Sequence, residues 1–324
     1  MGARPRVHVC FPPPGGVREE ILAMPWDATL AEVSDTPRSQ VLSDVRGCDA
    51  VITRLTDRVD AELLDAAGPG LRVVANYAVG FDNVDLDAVR ERGVTVTNTP
   101  GILDGATADL SLALILAAAR RVVEGDRFVR AGKPWRWSPT FFVGLDLSAG
   151  ATLGIVGLGR IGLAVARRAL AFDMRVIATP TRSHAEQAAD LGIELMELDD
   201  LLRASDVVSL HCPLDASTHH LIGARELGLI GPHGILVNTS RGPVVDETAL
   251  VDALTSGRLG AAGLDVFEHE PKVSPGLLEL ENVVLVPHIG SAADTTRTAM
   301  ARLAFRNVAA VLDGRPPLTP VPLG

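Results

Sequence analysis

Short apolar runs separated by amphipathic stretches set the rhythm of the chain. In the first hundred residues the runs at 6–11, 50–53, 71–75 and 94–97 read as strands. Between them lie helical patterns at 18–23 and 42–46, a helix capped by Asp60 and stopped by Gly68-Pro69-Gly70, and one capped by Asp85 and closed by Gly93. From Ala151 onward the alternation resumes, with strands expected at 152–156, 174–179, 206–211, 234–238, 260–266 and 283–286. One intervening helix spans 247–256, and a last one, 291–312, is expected to cross back to the first domain. Strands alternating with helices predict parallel sheets with helices on both faces. The tail after Gly314 carries four prolines and is not helical.

Between these halves Thr99-Pro100-Gly101 reads as a hinge, followed by one long helix from about 104 to 131. That helix is apolar on most sides through Leu110, Leu112, Leu114, Ile115 and Leu116. A helix apolar all round is buried by something; burial by domain packing together with a second copy of the chain is expected, with simple core burial as the alternative. Residues 132–148 form a loop bearing Trp135, Trp137, Phe141 and Phe142. Aromatic residues make up only 4% of the chain, so this concentration marks an interface or a pocket wall. The expected division is a discontinuous domain of residues 1–99 and 290–324, and a second domain of residues 100–289.

The second half opens on a strand, Leu153 to Val156, that runs into Gly157-Leu158-Gly159-Arg160-Ile161-Gly162 and then an Ala- and Leu-rich helix. This G-x-G-x-x-G turn between strand and helix is the dinucleotide-binding fingerprint. Gly157 allows the tight turn, Gly159 admits a pyrophosphate, and Gly162 lets helix and strand close up. The N–H groups at the helix start and the helix dipole both favour the anion. The alternative is a tight turn with no ligand.

Composition narrows the classes. With 324 residues the chain can bury two cores. A net charge of −10 and the absence of any basic patch argue against nucleic acid and anionic membranes as partners. Cys10, Cys48 and Cys212 are scattered and odd in number, which fits a reducing compartment without structural zinc. His211, Cys212, His219 and His220 lack metal-ligand spacing. No stretch reads as a signal peptide or membrane span, so a cytosolic protein is expected.

Three stretches at strand ends of the second half carry candidate chemistry, where open α/β sheets place their sites. Arg241 follows the strand ending Val237-Asn238, where a guanidinium can grip a carboxylate in bidentate fashion or simply form a surface ion pair. His288 follows Val284-Leu285-Val286-Pro287 and precedes a helix. A lone histidine there is more often a structural hydrogen-bonder. Glu270 as its neighbour would change that, because a carboxylate orients an imidazole and favours its charged form, making a proton donor.

Six ordered segments together resemble the D-isomer-specific 2-hydroxyacid dehydrogenases, most closely their glyoxylate/hydroxypyruvate reductase branch. They are Asn76 to Asn83, Thr97 to Pro100 with Ala106 to Asp109, Gly157 to Gly162, Asn238 to Gly242, Leu264 to Pro271 and Pro287 to Ala292. The resemblance covers nearly the whole chain. It implies two Rossmann-like, doubly wound α/β domains: a flavodoxin-like substrate domain and an NAD(P)-binding domain. It implies NAD(P)H-dependent reduction of a small 2-oxo acid, glyoxylate or hydroxypyruvate, to the D-2-hydroxy acid by a homodimer. It gives Arg241 the substrate carboxylate and carbonyl, His288 the acid/base role and Glu270 the place of its partner. The N–H groups of Val79 and Gly80 become a second carboxylate clamp from the other domain. Leu158, Gly159, Arg160 and Ile161 wrap the pyrophosphate, while Cys212 and Pro213 flank the adenosine. Asp265 holds the nicotinamide amide and Thr107 lies near the cofactor; Thr239, Ser240 and Gly290, in the same motifs, join that site. Trp137 matches an aromatic that reaches a partner subunit's site.

Two departures stand out. NAD-preferring enzymes place an acid about 20 residues past the fingerprint, but here the stretch is Thr179-Pro180-Thr181-Arg182-Ser183, with Pro180 at the acid's place. Thr181, Arg182 and Ser183 suit a 2′-phosphate, which predicts NADP preference, with NAD possible; the alternative leaves Arg182 a solvated loop charge. Relatives in this branch commonly carry an apolar residue where this chain has Arg54. It either adds a cation to the substrate site or points to solvent. Competing readings are phosphite oxidation, whose enzymes share the scaffold but carry lysine at the place of Val79, another 2-hydroxyacid dehydrogenase, and a cofactor-sensing binding module of the corepressor type.

Overall fold

The computed structural model describes residues 3–181 and 183–323. It contains two compact units, Met1–Leu103 with Ser291–Gly324, and Asp104–Gly290.

In the first unit β1 (Arg6–Val9), β2 (Asp27–Leu30), β3 (Ala50–Arg54), β4 (Val73–Tyr77) and β5 (Thr95–Thr97) form one parallel sheet in the order β2-β1-β3-β4-β5. This is the flavodoxin-like order. Side chains alternate cleanly between its two faces. Val51 and Val74 enter one apolar cluster, and Ala50, Ile52, Val73 and Ala75 enter the other. The helix Asp294–Leu312 packs on β3 and β4 and completes the second cluster with Ala301, Ala304 and Val308. Asp60 and Asp85 cap their helices as expected, accepting from the N–H groups of Leu63 and Ala88.

The second unit holds β6 (Thr152–Val156), β7 (Arg175–Ala178), β8 (Glu194–Leu195), β9 (Val207–Leu210), β10 (Ile235–Asn238), β11 (Ala261–Leu264) and β12 (Val283–Leu285). Their order is β12-β11-β10-β9-β6-β7-β8, all parallel. Counted from β6, this is the 3-2-1-4-5-6 order of dinucleotide-binding sheets with one further strand. The order reverses between β6 and β9. The first connection from β6 leads outward to β7, and β9 returns to the other side, which opens a crevice at the strands' carboxyl ends.

The sequence pattern missed β2 and β8. Both are edge strands; β2 alternates exposed and half-buried residues and β8 is exposed throughout, so neither carries an apolar run. The long helix expected from 104 to 131 is two helices, Asp104–Ala119 and Val122–Arg130. The chain returning at 144–145 supplies the reason. The Leu145 N–H donates to the Ala119 carbonyl at 2.8 Å, and Gly144 lies so close that a Cβ there would overlap that carbonyl. Arg121 then turns left-handed at φ 54° and grips Glu124 with two hydrogen bonds. The first helix is buried on β10, β11 and β12 and against the helix Arg160–Leu170. The second has no buried residue. Among the described residues no helix is long and apolar enough to cross a membrane.

Candidate active site

The glycine turn has the three environments its spacing requires. Gly157 adopts φ +95°, and a Cβ on it would stand 2.5 Å from the Cys212 backbone nitrogen. A Cβ on Gly162 would come 2.5 Å from the Gly157 carbonyl, so helix and strand touch there. Gly159 alone among the three faces open space, where an anion can approach the backbone. Leu158 is buried under the turn while Arg160 is exposed at the helix start. The cradle therefore fits a dinucleotide pyrophosphate. Sequence reasoning passed over Thr179, whose hydroxyl accepts the Gly157 N–H at 3.0 Å and ties the turn to the end of β7. Past it, Pro180 is exposed and Thr181 half-buried; Arg182 lies outside the described residues.

Beyond β9, burial pushes the His211 pKa down to about 4 and the Cys212 thiol up to about 11. The Nε2 of His211 lies 2.8 Å from the Ser209 hydroxyl. Pro213 follows, exposed. Among the described residues no group of three His, Cys, Asp or Glu is placed to hold a metal ion.

The chemistry-bearing side chains sit on three loops that leave β10, β11 and β12. After β10, Asn238 folds the loop by accepting from the Ser240 N–H and hydroxyl and donating to the Arg241 carbonyl. Arg241 is half-buried, with Nη1 donating to the Ser240 carbonyl at 2.8 Å. Gly242 lies hard against the Phe267–Glu268 backbone, where any side chain would overlap it. This contact joins the Arg241 loop to the one after β11.

That second loop carries Asp265 and Glu270. The Asp265 carboxylate is 1% exposed and accepts the Ile289 N–H at 2.6 Å and the Gly290 N–H at 2.8 Å. Burial pushes its pKa above the ordinary carboxylate value, against the pull of these two donors and of His288. Its two oxygens thus shape the loop after β12. Within that loop His288 adopts φ 51°, an uncommon conformation for a residue with a side chain, and its N–H donates to the Asp265 carbonyl at 2.8 Å. The turn places His288 Nδ1 2.8 Å from Glu270 Oε2, while Glu270 Oε1 accepts the Phe267 N–H at 3.0 Å. Burial alone would raise the Glu270 pKa. The His288 hydrogen bond and charge, the Phe267 N–H and the Arg241 charge outweigh it and hold this carboxyl below its ordinary value.

Several supporting residues were invisible in the sequence. Glu247 and Glu268 each accept the other's backbone N–H, Glu247 also accepts from Ser274, and His220 Nε2 lies 2.7 Å from Glu268. They pin both ends of the Glu270 loop. Ser111 lies 2.8 Å from the Thr239 hydroxyl and donates to the Thr107 carbonyl; Thr107 in turn donates to the Gly290 carbonyl at 3.3 Å. Thr107, Thr239 and Gly290 are thus one connected wall. Such partners come together only through the fold, at separations of up to 183 residues.

In the first unit Val79 and Gly80 are half-buried in the loop after β4. Arg54 does not point to solvent: its side chain is 16% exposed and bonded through Nε and Nη2 to the Asp57 carboxylate at 3.0 and 2.7 Å. Its charge is neutralised in place. Trp137, on the loop of the second unit, is 79% exposed.

A dinucleotide turn and a histidine–carboxylate dyad at the carboxyl edge of one sheet define an oxidoreductase of the nicotinamide class. Comparison with known proteins identifies its family. Residues 112–290 match the model of the D-isomer specific 2-hydroxyacid dehydrogenase NAD-binding domain. The glyoxylate reductase of Thermococcus litoralis is 50% identical over 286 residues, covering 87% of this chain and 86% of that protein. A crystal structure of a Thermus thermophilus protein superposes with a TM-score of 0.90 at 46% identity, covering 98% of this chain and all of that one. The NADPH-dependent glyoxylate/hydroxypyruvate reductase of Sinorhizobium meliloti, solved with NADP and malonate, gives 0.86 at 36% identity over 99% and 98% of the two chains. The chain belongs to the D-isomer specific 2-hydroxyacid dehydrogenase family.

The Glu270 shift has a direct consequence for stability. A carboxyl whose pKa is depressed by folding contributes stability that is full above the unfolded value, about 4.3, and is lost as pH falls through the folded value. Glu270→Gln removes that titration. Denaturant melts between about pH 3 and 6 should show the wild type losing stability more steeply on the acid side than the variant. Identical acid limbs would contradict a charge-assisted dyad.

Proposed function

We propose that this protein reduces glyoxylate or hydroxypyruvate to the D-2-hydroxy acid, with NADPH the preferred cofactor. The observation that carries the reading is the 2.8 Å contact of His288 with Glu270 in the same unit as the glycine turn. The relatives named as glyoxylate reductases support the choice of acid. Leu158 to Ile161 would hold the pyrophosphate, Thr107, Thr239, Ser240 and Gly290 would line the cofactor's place, and Cys212-Pro213 would flank its adenosine. A nicotinamide held there would supply the hydride that C2 of the acid receives. Arg241 holds the substrate carboxylate and draws electron density toward the carbonyl oxygen. His288 delivers the proton to that oxygen, which leaves a hydroxyl group at C2. Glu270, ionised, orients the imidazole and stabilises its charged form before transfer. Val79 and Gly80 offer their N–H groups to the carboxylate.

Absorbance decay of NADPH with glyoxylate, hydroxypyruvate, pyruvate and a bulkier 2-oxo acid tests the reaction. The two small acids should turn over fastest. Arg241→Ala should lose about 10²-fold or more in turnover, as when an electrostatic stabiliser is removed; near-normal turnover would remove Arg241 from its role. Consumption of a phosphite substrate, or tight NADH binding with negligible turnover, would favour the competing readings.

NADPH preference rests on the end of β7, where Thr179, Pro180 and Thr181 stand in place of a ribose-binding acid. A lower KM for NADPH than for NADH is expected, and equal values would refute it.

The homodimer reading rests on the surface at 122–143. Val122, Val129, Trp135, Trp137 and Val143 are each more than half exposed, and Trp135 stacks on Phe141. Large apolar side chains left exposed along one segment mark an interaction surface. A second copy of the chain is its proposed occupant. Light scattering should report about twice the 34.1 kDa chain mass, and Trp137→Asp should shift it toward one chain; a monomeric wild type would refute the pairing.

A further inference from the structure

The loop proposed to hold the carboxylate is aimed by side chains that no motif assigns. Among the described residues the only cis peptide is Glu270–Pro271, so the peptides of Ala78–Val79 and Val79–Gly80 are trans. In a trans peptide the carbonyl and the following N–H point in opposite directions. The Ala78 carbonyl accepts the Thr99 N–H at 2.8 Å, which turns the Val79 N–H away from Thr99. The Val79 carbonyl accepts Asn98 Nδ2 at 2.8 Å, which turns the Gly80 N–H away from Asn98. Two consecutive carbonyls are therefore drawn to residues 98–99, and two consecutive N–H groups face the opposite way, as an anion site requires. Asn76 Nδ2 fixes the next carbonyl, that of Gly80, at 2.9 Å.

Asn98 is itself clamped from behind. Its N–H donates to the Thr319 carbonyl at 3.2 Å, and its carbonyl accepts the Thr319 hydroxyl at 2.7 Å. Thr319 is gripped in turn by Asn307, which is fully buried in the helix Asp294–Leu312. Asn307 Oδ1 accepts the N–H groups of Leu318 and Thr319 at 2.8 and 3.0 Å, and its Nδ2 donates to the Thr319 hydroxyl at 2.8 Å. Thr97 pairs antiparallel with Pro320, and the Val321 N–H donates to the Val96 carbonyl at 2.9 Å. The segment around Thr319 thus lies as a strap along β5, the edge strand of its sheet.

We propose that Asn98, with Thr319 and Asn307 behind it, is a positioning residue that aims the Val79 and Gly80 N–H groups at the substrate carboxylate. This rests on the reading of that N–H pair as a carboxylate hold. Such a hold acts alike on bound substrate and transition state, so its loss raises KM and leaves kcat nearly unchanged.

The test combines kinetics with one spectroscopic signal. Asn98→Ala and Thr319→Val should each raise the glyoxylate KM roughly ten-fold or more, with kcat and NADPH affinity kept. Thr319→Ser, which restores the hydroxyl, should return KM to the wild-type value. In protein labelled with 15N-glycine, the Gly80 amide signal, assigned by its loss in Gly80→Ala, should move on addition of oxalate. In Asn98→Ala it should respond only at higher oxalate. A Gly80 signal that ignores oxalate in the wild type overturns the carboxylate hold and the proposal with it. A signal that moves, with KM unchanged in both variants, overturns the positioning role alone. Should Thr319→Val fail to fold, Asn98→Ala carries the test, because its amide reaches the Val79 carbonyl directly.

Discussion

The candidate site hangs on one buried carboxylate. Asp265 sits at the end of β11 with almost no exposure and gives its two oxygens to the N–H groups of Ile289 and Gly290. A buried carboxylate is costly unless its lone pairs are met, and those two donors meet them. In exchange the loop after β12 is held in a shape its own sequence does not favour, with His288 left-handed. Without that turn the imidazole would not face Glu270. The upward pull of burial on Asp265 and the downward pull of His288 on Glu270 are two sides of one arrangement. One carboxylate is spent on geometry, and the other stays ionised for the imidazole.

The same logic recurs wherever the chain presents a proposed site residue on a loop. Arg241 leaves a loop folded by Asn238, and Gly242 wedges that loop against the backbone after Asp265. Val79 and Gly80 leave a loop whose carbonyls are taken by Asn76 and Asn98. In each case short side-chain amides or carboxylates satisfy backbone groups that a loop would otherwise lose to water. The sheets supply the rigid edge, and these local bonds supply the aim. Functional groups on loops then behave as though they stood on strands.

How much of this was legible beforehand follows from the range of each signal. The two parallel sheets showed in the alternation of apolar runs, because strands covered on both faces are apolar throughout. Edge strands β2 and β8 did not, because half or all of their side chains meet solvent. The glycine turn was legible to the level of each glycine, since its demands are local: a positive φ, an open backbone, a tight approach. The break at Arg120-Arg121 was not, because the cause is a chain segment returning from residue 144. Arg54 was read as a free cation because Asp57, three residues on, becomes its partner only when the loop after β3 folds back. Ser111, Glu247 and His220 carry no motif, and Asn98 lies in one without a role read for it; their partners lie far along the chain or act through backbone atoms.

That last class bears on how such a site can vary. Asp265, Glu270, Asn76 and Asn98 all act on backbone N–H or carbonyl groups, which every residue but proline offers in full. At Ile289 and Val79, both half-buried, these bonds are made by backbone atoms and do not depend on the side chain carried there. On the proposed reading, recognition of the carboxylate and carbonyl falls to these fixed elements. Discrimination among 2-oxo acids falls to the remaining contacts, where a hydrophobic difference of one methylene is worth only about 1–3 kcal/mol. A scaffold built this way keeps its chemistry while its substrate range drifts.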